Sequence, residues 1–150
     1  MKDAWDKLKA AIDMQYKKIG VHTEWSPFVT GNNVVAAIED VNGKIWTGIN
    51  IETASGVVCV CAERVALLKM VTESSTVIVK RILVYGEELP KKELNNWSPC
   101  GACREFLMQL SDKNIDCEIL MDWETRKTVK LQDLIPYWWG DERFKQNSNI

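Results

Sequence analysis

Apolar side chains near the start of the chain recur at the three- and four-residue steps that are typical of an amphipathic helix. Between Asp3 and Gly20 they form one stripe, which consists of Trp5, Leu8, Ile12, Tyr16 and Ile19. Gly20 then supplies a residue type that commonly ends a helix. This pattern predicts a helix that packs one face on a core.

Two stretches rich in β-branched residues follow, at residues 34–39 and 44–49. They flank Val41-Asn42-Gly43, and Asn-Gly is a dipeptide that suits a tight hairpin turn. The pattern therefore predicts two antiparallel strands.

Helical and extended patterns alternate through the rest of the chain. In chain order they predict a helix from about Ala62, a buried strand over 76–85, a polar loop over 86–97, a helix after Pro99, a strand over 115–121 and a short helix near 131–134. The first of the two longer helices carries the apolar residues Val65, Leu67, Leu68 and Met70, and in the second we expect Phe106, Leu107 and Leu110 to face inward.

This alternation favours an α/β fold, in which helices pack on the faces of a mixed sheet. The chain has 150 residues, of which 46% are hydrophobic and 27% charged. Such a length and composition fit a single globular domain, so we expect one domain over residues 1–150. We expect the C-terminal tail, from about residue 141 to residue 150, to be flexible.

The charge pattern excludes several classes of partner. The formal net charge is −2, and the basic residues are scattered among acidic ones, so nucleic acid is not an expected partner. No apolar run approaches the roughly 20 residues that span a bilayer, and the first residues lack a signal peptide's apolar region. We therefore expect no membrane partner and a cytoplasmic location, where the five cysteines are more suited to metal or redox chemistry than to disulfides.

Three of these cysteines lie where a strand or loop enters a predicted helix. Cys61 precedes the first of the two longer helices, and Cys100 and Cys103 belong to the start of the second. Three cysteines and a water satisfy a catalytic zinc site, which is four-coordinate and keeps one position open. The exposed N–H groups of a helix start also stabilise thiolates. The sequence therefore predicts Zn²⁺ held by Cys61, Cys100 and Cys103.

Glu63 follows Cys61 by two residues, which places a carboxylate near the metal without making it a ligand. A carboxylate in that position can take a proton from a zinc-activated water and pass it on. Three thiolates leave a Zn²⁺ site at a formal charge of −1, which weakens the activation. We expect Arg64 and Arg104 to offset this charge by hydrogen bonding to cysteine sulfurs.

Two other interpretations of the cysteines are available. Cys59 would complete a closed four-cysteine structural site, but one intervening residue in an extended segment points the sulfurs of Cys59 and Cys61 in opposite directions. We therefore interpret Cys59 as a packed residue. A redox pair at Cys100 and Cys103 would leave Cys61 and Glu63 unexplained. Two further residues are assigned no chemistry: Cys117 is expected in the core and His22 in a loop.

The segments Cys61-Ala62-Glu63-Arg64 and Ser98-Pro99-Cys100-Gly101-Ala102-Cys103-Arg104 together resemble the cytidine deaminase family, in its small three-cysteine branch. The resemblance covers most of residues 34–136. It implies a three-layer α/β/α fold with a mixed five-stranded sheet and a homotetramer. It also implies a role in pyrimidine salvage, namely the zinc-dependent hydrolysis of cytidine or deoxycytidine to the uracil nucleoside and ammonia.

The same resemblance implies roles for individual residues. Asn50 and Glu52 would hold the ribose, backbone amides near Ala62 and Cys100 would hold the polar edge of the base, and Glu63 would return protons to N3 and to the departing amine. The chain departs from the family in lacking a tyrosine within residues 52–56 and a phenylalanine at the start of residues 32–37.

Residues 51–63 also resemble bacterial blasticidin S deaminases, which accept a bulkier cytosine nucleoside, whereas Arg64 is typical of cytidine deaminases. A zinc-stabilised binding domain remains the non-enzymatic alternative. The aromatic segment 136–140 is assigned no role.

Overall fold

The computed structural model describes residues 2–86 and 98–147. The helices are α1 (Ala4–Ile19), α2 (Ala62–Glu73), α3 (Gly101–Leu110), α4 (Leu131–Leu134) and α5 (Asp141–Asn147). The strands are β1 (Thr23–Ser26), β2 (Val29–Asp40), β3 (Ile45–Thr53), β4 (Val79–Gly86), β5 (Glu118–Leu120) and β6 (Thr128–Lys130). Short 3-10 helices cover Gly56–Val58 and Asp112–Asp116.

The strands form one mixed sheet. Strand β2 pairs antiparallel with β3 on one side and with β4 on the other. Strand β5 then pairs parallel with β4, and β6 pairs antiparallel with β5. The prediction of a mixed α/β sheet is confirmed.

The described part of the sheet has six strands rather than the expected five. The additional strand is β1, which pairs with the first residues of β2. Its four residues, Thr-Glu-Trp-Ser, include no buried position. It therefore carries no alternation of buried and exposed side chains from which a strand could be predicted.

Helices cover both faces of the sheet. On one face, α1 packs its predicted stripe against strand residues such as Val35 and Leu83. On the other face, α2 and α3 pack against residues such as Ala36 and Ile82. Alternate residues of β2 thus enter opposite cores, as a strand with two covered faces requires. The three-layer arrangement is confirmed.

The predicted hairpin is also present, with strands longer than the pattern indicated. Asp40 stabilises its turn, because one carboxylate oxygen accepts the backbone N–H groups of Asn42 and Lys44 at 2.9 and 3.1 Å. Gly43 has a φ of 83°, a conformation that glycine adopts without steric cost.

Several boundaries differ from the prediction. The strand expected over 115–121 is only Glu118–Leu120, and a 3-10 helix occupies the residues before it. Buried Asn114 explains the change, since its side chain binds the backbone of Val79 and Leu107 and so holds the preceding turn. Apart from Gly86, the predicted loop over 86–97 lies outside the described residues, and so do residues 148–150 of the expected tail.

The part of that tail that is described contains helix α5. None of the helices in the described ranges combines the length and the apolar character that a bilayer crossing requires.

Candidate active site

Two features allow the start of α2 to lie directly against β3: a glycine in the strand and a pair of backbone hydrogen bonds. A Cβ at Gly48 would meet the carbonyl oxygen of Ala62 at 2.3 Å, so only glycine allows the helix to lie this close to the strand. Ile51 and Val60 exchange two backbone hydrogen bonds of 2.9 and 3.0 Å. The residue before Cys61 is therefore fixed beside the strand that carries Asn50 and Glu52.

The three predicted cysteine ligands meet at the starts of two helices. Cys61 and Cys100 are the N-cap residues of α2 and α3, and neither side chain caps its own helix. The Sγ atom of Cys100 lies 3.4 Å from that of Cys61 and 3.4 Å from that of Cys103. All three sulfurs lie within 4.8 Å of one another.

The thiol groups differ in their environments. Burial, together with hydrogen bonding to Cys100, raises the pKa of Cys61. Burial also raises the pKa of Cys103, and the nearby Glu63 carboxylate adds to this effect. For Cys100 burial is the largest influence and acts in the same direction, but hydrogen bonds with the backbone N–H of Cys103 and with the thiols of Cys61 and Cys103 together outweigh it, and the pKa falls. Crowding the sulfurs together therefore disfavours three thiolates unless a cation joins them.

This donor set fits zinc. Zn–S bonds of about 2.3 Å in a tetrahedron imply sulfur separations of roughly 3.8 Å, close to the 3.4 Å that separates Cys100 from each of the other two sulfurs. Among the described residues the cluster contains three cysteines and no fourth protein ligand. The set leaves one tetrahedral position for water or substrate, as a catalytic zinc site requires.

The cysteines outside the cluster behave as the sequence predicts. The Sγ atom of Cys59 accepts the backbone N–H of Thr53 at 3.3 Å, so Cys59 is a packed residue and not a fourth ligand. Cys117 is 1% exposed in the core of the α2 face. His22 lies in a loop and its Nδ1 contacts Oδ1 of Asn33 at 2.6 Å.

Glu63 lies in the first turn of α2 and is only 5% exposed. Burial raises the pKa of its carboxyl group, although hydrogen bonds from its own backbone and from Cys103 oppose the shift. A raised pKa brings a carboxyl group closer to the range in which it can both accept and return a proton near neutral pH.

The two arginines that follow the cysteines differ in what they contact. Burial would lower the pKa of Arg64, but a hydrogen bond to Cys61 and the charges of the cysteines raise it above its usual value. The prediction for Arg104 is wrong in its contacts: its guanidinium donates to oxygens of Ser98, Pro99 and Leu134. The side chain of Arg104 projects from α3 toward the loop before Cys100 and not toward the sulfurs.

A cavity of about 380 Å³ opens next to the cluster. Its lining includes all the predicted substrate-binding residues, Asn50, Glu52 and Ala62, together with Glu63, Arg64 and two of the predicted cysteine ligands. The rest of the lining has no role predicted from the sequence and consists of Val34, Ile51, Cys59, Val60, Val84 and Ser98. Its volume lies within the size range of small-molecule sites. Cys103, which is buried, and Arg104 do not belong to this lining.

Asn50 has a structural role that the sequence did not reveal. Strand β2 is irregular between Gly31 and Val35, and Oδ1 of Asn50 accepts the backbone N–H groups of Asn33 and Val34, both at 2.9 Å. The amide nitrogen of Asn50 lies 3.4 Å from Oε1 of Glu52. The amide nitrogen of Asn50 and the exposed carboxylate of Glu52 are therefore the groups of these two residues that are available to a ligand in the cavity.

The layered α/β fold and the three-cysteine cluster define the class of a zinc-dependent deaminase. Residues 17–119 match a protein family that is described as the cytidine and deoxycytidylate deaminase zinc-binding region. This match covers more than half of the chain, and the chain belongs to that family.

Individual relatives agree with the family. The chain is 33% identical over 113 residues to a probable cytidine deaminase from Dictyostelium discoideum, which covers 75% of this chain and 71% of that protein. It is 34% identical over 111 residues to a blasticidin-S deaminase from Bacillus cereus, which covers 70% of this chain and 75% of that protein.

A solved structure gives the same result for the fold. The cytidine deaminase from Burkholderia pseudomallei superposes with a TM-score of 0.63 at 28% identity, covering 87% of this chain and 95% of that one. The expected cytidine deaminase-like fold and the zinc cofactor are therefore confirmed.

Proposed function

We propose that this protein hydrolyses cytidine and deoxycytidine to uridine and deoxyuridine, releasing ammonia. The observation that carries the proposal is the position of Glu63. Its buried carboxyl group lies beside a cluster of three cysteines and lines a cavity of nucleoside size. A carboxyl group in that position is suited to moving protons between water and a cytosine ring.

The residues would divide the reaction between them. Cys61, Cys100 and Cys103 would hold Zn²⁺, which supplies Lewis-acid activation of water when bound. Glu63 would accept a proton from the attacking water and deliver protons to N3 and to the amino group at C4. That group then leaves as ammonia, and water supplies the new carbonyl oxygen.

Other groups in the cavity would hold the substrate. Backbone N–H groups at the starts of α2 and α3, near Ala62 and Cys100, are available because the first N–H groups of a helix lack intrahelical partners. The nitrogen of Asn50 and the carboxylate of Glu52 present a donor and an acceptor side by side, a pair that suits ribose hydroxyl groups. Arg64 would balance the negative charge of the sulfurs.

A substrate panel tests this proposal. Ultraviolet absorbance should fall with cytidine and deoxycytidine, and elemental analysis should find one zinc per chain. Glu63→Gln should keep zinc and the fold but lose roughly 10²- to 10⁴-fold in turnover. Near-normal turnover by Glu63→Gln would exclude the assigned role, and zinc without activity on any substrate would favour a zinc-stabilised binding domain.

A second candidate substrate is blasticidin S. The identity to the Bacillus cereus blasticidin-S deaminase is 34%, against 33% to the probable cytidine deaminase from Dictyostelium discoideum. In addition, residues 51–63 resemble bacterial blasticidin S deaminases, and the exposed segment after Glu52 lacks the tyrosine of the cytidine deaminase pattern. The same panel discriminates the two candidates, since a blasticidin S deaminase would turn over that nucleoside at a higher kcat/KM than cytidine.

We also propose that the protein is a homotetramer that acts in pyrimidine salvage in the cytoplasm. Large apolar side chains that support self-association are exposed before Cys61, on α2 and on the C-terminal segment: Val57, Val58, Leu68, Tyr137 and Trp139. Where exposed apolar side chains form a patch, that patch commonly binds another protein chain. Light scattering on the purified protein should give four times the chain mass, and a monomer would contradict this assembly.

A further inference from the structure

The guanidinium group of Arg104 connects two parts of the chain behind the cysteine cluster. Its Nε donates to the carbonyl oxygen of Pro99 at 2.8 Å, and its Nη2 donates to the hydroxyl of Ser98 at 2.7 Å. Its Nη1 donates to the carbonyl oxygen of Leu134 at 3.0 Å. A planar fork of donors can hold three acceptors in fixed directions, which no other side chain can do.

The first two acceptors belong to the two residues directly before Cys100. The N-cap Cys100 has extended backbone angles, φ −65° and ψ 167°, and its side chain makes no capping hydrogen bond. Its Sγ instead contacts groups of the cluster itself, namely the sulfurs of Cys61 and Cys103 and the backbone N–H of Cys103. The direction of its Sγ depends on the path of Ser98 and Pro99, and this path is held by Arg104 from one turn further along α3.

The third acceptor lies on a different element. Leu134 is the last residue of α4, where a carbonyl oxygen has no intrahelical donor. Helix α4 is itself fixed to the core, since Leu131 is fully buried and its N–H donates to the carbonyl oxygen of Cys117 at 3.0 Å. Through Arg104, the loop before Cys100 is thus joined to an element that does not take part in the site.

We propose that Arg104 is a positioning residue for Cys100, which holds the Ser98-Pro99 turn against α4 so that the three sulfurs are already arranged for the metal. The proposal rests on the proposed function only in taking Cys100 as a zinc ligand. Residues that orient a ligand in this way commonly contribute 10- to 100-fold in metal affinity.

Zinc release from the holoenzyme tests the proposal without reference to turnover. We expect Arg104→Met to release zinc to a chromogenic chelator about 10- to 100-fold faster than the wild type. We also expect the thiolate-to-metal absorption band of the cobalt-substituted protein to shift, because the position of one sulfur changes. Wild-type turnover of cytidine is measured separately, so a failure of the proposed function is recognised independently.

Arg126 provides a matched control. It is a partly buried arginine that also donates several hydrogen bonds, to the carboxylates of Asp3 and Asp6 and to the carbonyl oxygen of Trp123. It lies beside α1, on the face of the sheet opposite to α2 and α3. Arg126→Met should lower the free energy of unfolding but leave zinc release and the cobalt spectrum unchanged.

Two conservative variants complete the test. Arg104→Lys keeps the charge but cannot reach three acceptors, so it should release zinc at a rate between those of the wild type and Arg104→Met. Ser98→Ala removes one of the three contacts and should have a smaller effect in the same direction. Zinc release and a cobalt spectrum equal to the wild type in Arg104→Met, or in Arg104→Lys if the former does not fold, would overturn the proposal.

Discussion

Asn50 combines a folding role and a binding role in one amide group. Its oxygen is occupied by the backbone of the irregular part of β2, at Asn33 and Val34. Its nitrogen lies near Glu52 at the cavity. Asn50 is 9% exposed, whereas Glu52 is exposed, and its side chain forms no contact with the backbone of β2 among the described hydrogen bonds. Two residues with the same proposed contact to ribose therefore differ in their importance for stability.

Substitution separates these contributions. Asn50→Ala leaves two partly buried N–H groups without an acceptor, so the free energy of unfolding should fall by about 1–3 kcal/mol. Glu52→Gln should change it by less than about 0.5 kcal/mol, because the site is exposed. Both variants should raise KM for cytidine. Urea titration and steady-state kinetics check the two effects, and an Asn50→Ala protein as stable as the wild type would contradict the folding role.

At the scale of elements, the site depends on how closely α2 approaches β3. Gly48 lies under the first turn of α2, and a Cβ there would come within 2.3 Å of Ala62 O and 2.4 Å of Ala66 N. Both neighbours are helix backbone, which cannot rotate away as a side chain can. The helix would have to move as a unit, and Cys61 and Glu63 would move with it.

Gly48→Ala should therefore lower the free energy of unfolding by about 1–3 kcal/mol, as overpacking of a core does. It should also weaken zinc binding, because Cys61 is displaced relative to Cys100. Gly56→Ala is the matched control, since a Cβ at Gly56 meets nothing within 4 Å and should leave both quantities nearly unchanged. Equal effects of the two substitutions, in denaturant titration and zinc titration, would contradict the close-packing argument.

Glu105 fixes the C-terminal segment to α3. Its two carboxylate oxygens accept the indole N–H groups of Trp138 and Trp139, each at 2.8 Å. Hydrogen bonds from Gln109 and from both indoles lower the pKa of Glu105, so the carboxylate is ionised and both oxygens act as acceptors. A single amide oxygen could not replace them.

Glu105→Gln should release the segment over residues 136–147 without unfolding the protein. Because the carboxylate is largely exposed and screened by solvent, the global free energy of unfolding should fall by less than about 1 kcal/mol. Hydrogen exchange in that segment should become faster, while exchange in α1 stays the same. Glu142→Gln, which alters an exposed ion pair with Lys145, is the control and should change neither.

At the scale of the whole molecule, the features that could be predicted from the sequence are those that depend on local pattern and on residue chemistry. The stripe of α1 and the turn at Asn42-Gly43 follow from periodicity and turn preference, and the ligand triad follows from cysteines at two helix starts. The bond from Arg104 to Leu134 and the bonds that Asn50 accepts from Asn33 and Val34 could not be predicted in this way, because the partners are distant in the chain. A glycine within a strand pattern, as at Gly48, is the one local signal of a close backbone approach.

The zinc site joins the starts of α2 and α3 through Cys61, Cys100 and Cys103. Removal of the metal should therefore affect the face of the sheet that carries α2 and α3 more than the face covered by α1. Zinc that binds only the folded chain adds about 2.7 kcal/mol at a free concentration of 100 Kd. For a chain of 150 residues this corresponds to a loss in Tm on the order of 5–10 °C when a chelator removes the metal. Hydrogen exchange should then increase at the starts of α2 and α3, while α1 on the opposite face keeps its protection because its core residues, including Leu8 and Ile12, are fully buried away from the cluster. Calorimetry and exchange on the same metal-free sample check both points, and an unchanged Tm would show that the cysteine cluster is not joined by a metal in the folded protein.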